Sequence, residues 1–314
     1  MSNEIKVVVA EKKKISKAIS SFTFTTPQES DLPTWEPGSH ISVVLPDGTS
    51  RSYSLCGPAE DSARWTIAVL REEAGRGGSL RMHNEVHQGD LIEVTVPRNN
   101  FVLQPYGEYL FVAGGIGITP LLPMIESVAR RGIPWRLLYL VRELEAAVFV
   151  DRLNEVSGGV VEVWESDERG LYPLAELSKF MNSSTGVFAC GPSPLLAALE
   201  GMWIGDNLHI EHFTGDAVDT SEEGDAFDVV LSQSGQTVRV EAGVSILDAI
   251  EAADPSVFVL QSCKEGVCGS CETPVLEGTP DHRDLVLTKR QKEKCDRMML
   301  CVSRALSNKI VLDL

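Results

Sequence analysis

Positive charge is scarce in this sequence: 28 Lys and Arg stand against 45 Asp and Glu, a net charge of −17 at pH 7. Such a surface repels nucleic-acid phosphates and anionic lipid, so neither is expected as a partner. Long apolar runs are missing too. No stretch approaches the roughly 20 residues that span a bilayer, and the polar start Met1 to Lys14 lacks the apolar core of a secretory signal. A cytoplasmic protein is the expectation. No internal repeat or low-complexity tract is present, which excludes solenoid arrays. An even disulfide framework is also lacking: there are seven cysteines, three of them crowded between Cys263 and Cys271. In a reducing compartment that crowding points to metal ligation. His83 and His87 lie four apart but have no Glu in the zincin register, so they are read as ordinary surface or core histidines.

At 314 residues the chain exceeds the size at which one core keeps growing, so two or three domains are expected. The first hundred residues carry short β-rich runs, His40 to Leu45, Trp65 to Leu70 and Leu91 to Val96, separated by Gly-containing turns. They predict an antiparallel β-barrel over residues 1–104. Over 105–215 the pattern alternates between strands and helices. Tyr109 to Ala113, Trp135 to Val141, Val160 to Glu165 and Gly186 to Cys190 read as strands, and Pro120 to Arg131, Ala147 to Val156 and Pro194 to Met202 as helices. That alternation predicts an α/β domain with a parallel sheet. An acidic run without Lys or Arg, residues 216–226, reads as a linker. Residues 227–314 read as a compact α+β module, with Phe227 to Gln233 and Thr237 to Glu241 flanking a Ser234-Gly235 turn and a helix from Ser245 to Ala253.

The sharpest motif is Cys263-x4-Cys268-x2-Cys271, with Cys301 after 29 intervening residues. This is the plant-type spacing for a 2Fe–2S cluster. Gly266, Gly269 and Ser270 are small enough to let backbone N–H groups turn toward cluster sulfurs. The competing reading is a structural zinc site. Zinc modules use two close ligand pairs, however, and Cys295 precedes Cys301 by five intervening residues, too many for such a pair.

Two further junctions suit phosphate. The strand ending at Ala113 runs into Gly114-Gly115-Ile116-Gly117-Ile118-Thr119-Pro120, with Thr119 read as N-cap and Pro120 as the first helical residue. The third glycine of the Rossmann fingerprint is absent, so another dinucleotide fold is implied. Cys190-Gly191-Pro192 ends a second strand at the edge where open α/β sheets bind ligands, although Cys190 could equally be a small buried residue. In the barrel, Arg51-Ser52-Tyr53-Ser54 combines a cation, an aromatic plane and hydroxyls, and Arg76-Gly77-Gly78-Ser79 precedes a predicted helix from Leu80 to Val86. Such a nest suits a single terminal phosphate.

In this order the motifs resemble the phthalate dioxygenase reductase family, and the resemblance covers nearly the whole chain. It implies a ferredoxin-reductase-like flavin barrel, a nicotinamide domain and a C-terminal β-grasp ferredoxin domain. It implies FMN bound by Arg51, Tyr53, Ser54, Gly77, Gly78 and Ser79, with Arg51 on the phosphate and Ser54 near flavin N5. Gly115, Gly117 and Thr119 would lie under NADH, Cys190 beside the nicotinamide, and Phe213 over the flavin ring. Cys263, Cys268, Cys271 and Cys301 would hold the cluster. Arg142 stands where a 2′-phosphate would be met, but Glu143, Glu145 and Asp167 oppose one, so NADH is favoured over NADPH. The implied function is the reductase component of a two-component Rieske-type oxygenase. The alternatives are the reductase of a di-iron monooxygenase, a flavin and iron–sulfur redox sensor, or a zinc-stapled binding module. The basic run Lys289, Arg290, Lys292, Lys294 and Arg297 reads as a solvated helix face or as a docking patch for the acceptor.

Overall fold

The computed structural model describes residues 4–182, 184–215 and 224–314. They form two compact units that divide between Phe213 and Thr214. The acidic run expected as a linker lies mostly at 216–223, outside the described residues.

The first unit opens with antiparallel strands whose buried residues recur at every second position, as in Val7 and Val9, then Phe22 and Phe24. These strands are β1 (Glu4–Lys14), β2 (Ile19–Thr25), β3 (Ser39–Val44), β4 (Ser50–Ser54) and β5 (Trp65–Leu70); after helix α1 (Gly78–Glu85) come β6 (Leu91–Thr95) and β7 (Arg98–Asn99). Their order is β4-β3-β6-β1-β2-β5, with β7 on β3. An antiparallel bridge between Leu55 and Ile67 and a 2.8 Å bond from Cys56 N–H to Thr66 O join the outer strands, closing the barrel and removing its edges.

The chain continues through β8 (Glu108–Gly114), α2 (Ile118–Arg130), β9 (Trp135–Val141), α3 (Val150–Asn154), β10 (Gly159–Glu165), the single turn α4 (Ser166–Arg169), β11 (Thr185–Cys190), α5 (Ser193–Met202) and β12 (Leu208–Glu211). The sheet is parallel throughout, in the order β10-β9-β8-β11-β12. Residues 109–113 of β8 are buried on both faces, which explains the unbroken apolar run. The chain reverses direction across the sheet between β8 and β11, so their carboxyl ends form the crevice where such sheets bind ligands. Ile19, Cys56, Ala68 and Phe101 of the barrel segment join the same apolar core as β8 and α2, which makes one unit of the two sheets.

Three expected helices have different limits. The run Ala147 to Val156 yields only α3, because Phe149 takes a left-handed backbone (φ 66°) that stops helix growth toward the N-terminus. Helix α1 begins two residues early, at Gly78, since Gly77 supplies the left-handed entry (φ 82°). Helix α2 begins at Ile118 behind a 3-10 turn over Gly115–Gly117, with Gly117 in the capping position. Thr119 is therefore inside the first turn and its hydroxyl donates to Ile116 O at 3.0 Å. Pro120 is accommodated because first-turn N–H groups have no intrahelical partner to lose.

The second unit contains β13 (Phe227–Leu231), β14 (Thr237–Val240), α6 (Ile246–Ala253), β15 (Glu272–Glu277), β16 (Pro280–Asp281), α7 (Lys289–Lys292), β17 (Arg297–Met299), β18 (Arg304–Ala305) and β19 (Lys309–Leu312). Strand order is β14-β13-β19-β15-β17, with β13 and β19 parallel and the other pairs antiparallel. Ser245 caps α6 by accepting from Asp248 N–H at 3.0 Å. Buried Arg304 donates to the carbonyls of Val244, Asp225 and Glu241, tying the entry strand to the turn before α6. No helix among the described residues is long and apolar enough to cross a membrane.

Candidate functional site

Strand β4 alternates, so Arg51 and Tyr53 share one face while Ser52 and Ser54 share the other. Arg51 reaches the start of α1: a Cβ placed on Gly78 would lie 2.6 Å from its Nε, and one on Gly77 would lie 2.9 Å from Nη1 of Arg81. Two guanidiniums thus rest on a glycine turn whose side-chain-free backbone opens onto a helix N-terminus, a donor set suited to a phosphate. Arg81 is also held by Asp47 at 3.0 Å. Ser79 Oγ accepts from Glu72 N–H at 3.0 Å and so braces the turn. At the other end of α1, Lys12 donates to the carbonyls of His83 and Val86, and the His83 ring meets Val69 O at 2.9 Å. His83 is an anchor of this helix.

The second cluster lies at the carboxyl ends of β8, β11 and β12. A Cβ on Gly117 would fall 2.2 Å from Cys190 O and 2.8 Å from Gly191 N, and one on Gly114 would fall 2.5 Å from Pro192 Cδ. Only glycine lets the start of α2 approach the turn after β11. In register, Cys190 sits between Ala113 of β8 and Glu211 of β12. Cys190 is fully buried, and burial, then the neighbouring Glu211 charge, pushes its thiol well up, so it stays protonated. Burial also pushes the Glu211 carboxyl up to about 8, partly offset by Ser54 Oγ donating to Oε2 at 3.4 Å. This bond links barrel strand β4 to sheet strand β12. Phe213 follows β12 and is partly exposed.

In the second unit, Cys263, Cys268 and Cys271 are buried on one loop and Cys301 is half-buried beyond β17. All are free thiols. The Cys263 thiol contacts those of Cys268 and Cys301, and the Cys271 thiol contacts that of Cys301. Left-handed residues Lys264, Gly266 and Gly269 coil the loop so that the Glu265 N–H points at Cys263 Sγ (3.3 Å) and the Ser270 N–H at Cys268 Sγ (3.5 Å). Four adjacent thiols with inward-pointing N–H groups fit a 2Fe–2S cluster, whose thiolate charge those donors would stabilise.

The family model described as oxidoreductase FAD-binding domain matches residues 6–103, and that described as 2Fe-2S iron-sulfur cluster binding domain matches residues 229–306. Phthalate dioxygenase reductase of Burkholderia cepacia is 38% identical, covering 99% of this chain and 97% of its own. The chain belongs to the phthalate dioxygenase reductase family. It is an oxidoreductase with a flavin-binding domain and a 2Fe–2S ferredoxin domain. This reductase is also 36% identical to the carnitine monooxygenase reductase subunit of Acinetobacter baumannii, over 98% of its length and 97% of the relative's. A phthalate dioxygenase reductase structure matches with a TM-score of 0.70 at 36% identity, covering 99% of this chain and 98% of the other. An intact type IV self-sufficient cytochrome P450 monooxygenase matches with a TM-score of 0.89 at 39% identity. There the reductase covers 99% of itself but spans only 41% of the larger chain.

The fold of this reductase brings Arg51, Gly77 and Gly78 together, and likewise Gly117 with Cys190. Glu211, by contrast, belongs to no motif in the sequence. Strand β12 alternates apolar and polar residues (Leu208, His209, Ile210, Glu211), a pattern that assigns Glu211 to a polar face, so its partial burial could not be inferred. The available signal was position: an acid ending the strand next to a Cys-Gly-Pro turn.

Proposed function

We propose that this reductase moves electrons from NADH through FMN to the 2Fe–2S cluster and on, singly, to a Rieske-type oxygenase. The supporting observation is the presence in one chain of a phosphate nest on a flavin-type barrel, a glycine-lined sheet edge and a four-thiol loop. Bound flavin supplies the conversion of a two-electron hydride into single electrons, which neither nicotinamide nor an iron–sulfur cluster provides.

In this reading Arg51 and the Gly77-Gly78-Ser79 turn hold the FMN phosphate, while Tyr53 and Ser54 line the ring. Ser54 Oγ, oriented by Glu211, stands toward N5. Gly115, Gly117 and Thr119 shape the floor under the dinucleotide, and Phe213 shields the ring until the nicotinamide arrives. The protonated Cys190 thiol packs beside the nicotinamide as a neutral group, so it does not compete as a nucleophile. The fully buried Cys190, with half-buried Glu211 beside it, limits water at the transfer. One compact nest with two guanidiniums favours a terminal phosphate, hence FMN over the FAD named in the family description. The acids after β9 and in α4 favour NADH. Cys263, Cys268, Cys271 and Cys301 hold the cluster.

A second reading follows from the cytochrome P450 chain that carries the same fold: the acceptor would be a haem monooxygenase. Turnover of purified oxygenases of the two classes with this reductase separates the readings.

The holoprotein should contain two irons and one FMN per chain, measured by metal analysis and mass spectrometry of released flavin. Arg51→Ala should raise the flavin dissociation constant about tenfold or more, because each charge-assisted bond lost is worth roughly 1.5 to 3 kcal/mol. Its iron content should stay unchanged. Stoichiometric zinc, released FAD, or unaltered flavin affinity in Arg51→Ala would each contradict part of this assignment.

A further inference from the structure

Arg152 of α3 makes contacts that the site described above does not use. Its Nε and Nη2 donate to the two carboxylate oxygens of Glu126 on α2 at 2.6 and 2.8 Å, and its Nη1 donates to Cys56 O at 2.8 Å. Glu126 is eight residues along α2 from Ile118, so about 12 Å of helix, with Pro123 inside it, leads from the glycine turn to this carboxylate. Cys56 is two residues beyond Ser54 and is fully buried in the core shared with α2. One guanidinium therefore joins the helix that starts at the nucleotide edge to the barrel strand that ends at the flavin edge.

We propose that Arg152 is a positioning residue that fixes the approach of the nicotinamide edge to the flavin edge. This rests on the functional reading above. A fork of two parallel bonds fixes direction as well as distance, and the third donor fixes the Cys56 carbonyl, a combination that lysine cannot reproduce. The Glu126 and Arg152 side chains are only 14% and 29% exposed, so solvent screens the pair weakly. Another side-chain tie between these segments, Arg130 to Glu60, joins groups about half exposed, where an ion pair contributes little. Arg152 is not among the residues assigned to either cofactor, and its side-chain donors go to Glu126 and the Cys56 carbonyl. It acts through the backbone of Cys56 and the axis of α2, and small misplacements of reacting atoms are costly.

The test is anaerobic rapid mixing of holoprotein with NADH, separating the limiting rate of flavin reduction from the half-saturating concentration. Arg152→Met should lower the limiting rate about tenfold to a hundredfold, with half-saturation changed less than about threefold and flavin and iron contents intact. Arg152→Lys should fall between Met and wild type. Glu126→Gln, which keeps shape but removes one charge, should lower the limiting rate in the same direction and decides the matter if Arg152→Met does not retain flavin. An unchanged limiting rate in flavin-replete variants would overturn the proposal, as would a loss explained wholly by missing flavin. If wild-type flavin is not reduced by NADH, the functional reading itself fails and the proposal with it.

Discussion

At the scale of single residues, Glu211 shows how burial sets chemistry. A carboxyl that ionises near 4.5 in the unfolded chain is held neutral up to about 8 in the fold, so the native state binds the extra proton between those values. Its contribution to stability is complete below pH 4.5, is lost progressively as pH rises toward 8, and changes no further above that. Glu211→Gln, which is neutral at every pH, should remove this slope. Chemical denaturation of the holoproteins at pH 5, 6.5 and 8 measures it. The wild type should lose stability relative to Glu211→Gln as pH rises, and parallel profiles would show that Glu211 is ionised throughout. Cys56 follows the same rule: burial pushes its thiol up to about 12, and its use to the protein is its carbonyl, not its sulfur.

At the scale of elements, the junction of β8, α2 and β11 depends on what glycine leaves out. Gly117→Ala would place a methyl 2.2 Å from the Cys190 carbonyl, which is backbone and cannot swing aside. The start of α2 must then move away from β11. NADH oxidation should fall at least about tenfold while flavin and iron contents persist, measured by steady-state reduction of an artificial acceptor; full activity would show that the close approach is dispensable. The strand-to-glycine junction was legible in the sequence because apolar runs ending in Gly-rich turns have a local cause. The exact start of α2 was not, because Gly117 caps it through a 3-10 turn that no side-chain signal marks. Phe149 likewise breaks an expected helix by its backbone conformation, which residue identity does not reveal. The Arg152 clamp joins residues 26 and 96 positions apart, beyond any local pattern.

At the scale of the whole molecule, the antiparallel, parallel and mixed sheets follow the expected chain order because hydrophobic period and turn chemistry change between segments. The four-cysteine spacing was legible for a different reason: a cluster demands particular ligands at particular separations, whatever surrounds them. The packing of the first two sheets into one unit was not legible, since it rests on Ile19, Cys56, Ala68 and Phe101 joining a core assembled from distant segments. In the proposed path, flavin stands upstream of the cluster and the cluster upstream of the acceptor. The most direct test mixes wild-type and Cys301→Ser holoprotein anaerobically with NADH and a one-electron protein acceptor, following flavin absorbance and acceptor reduction together. In the wild type, flavin bleaching should precede reduction of the acceptor. In Cys301→Ser the flavin should still bleach while the acceptor stays oxidised. Acceptor reduction at the wild-type rate in that variant, or loss of flavin bleaching in a flavin-replete one, would contradict the path.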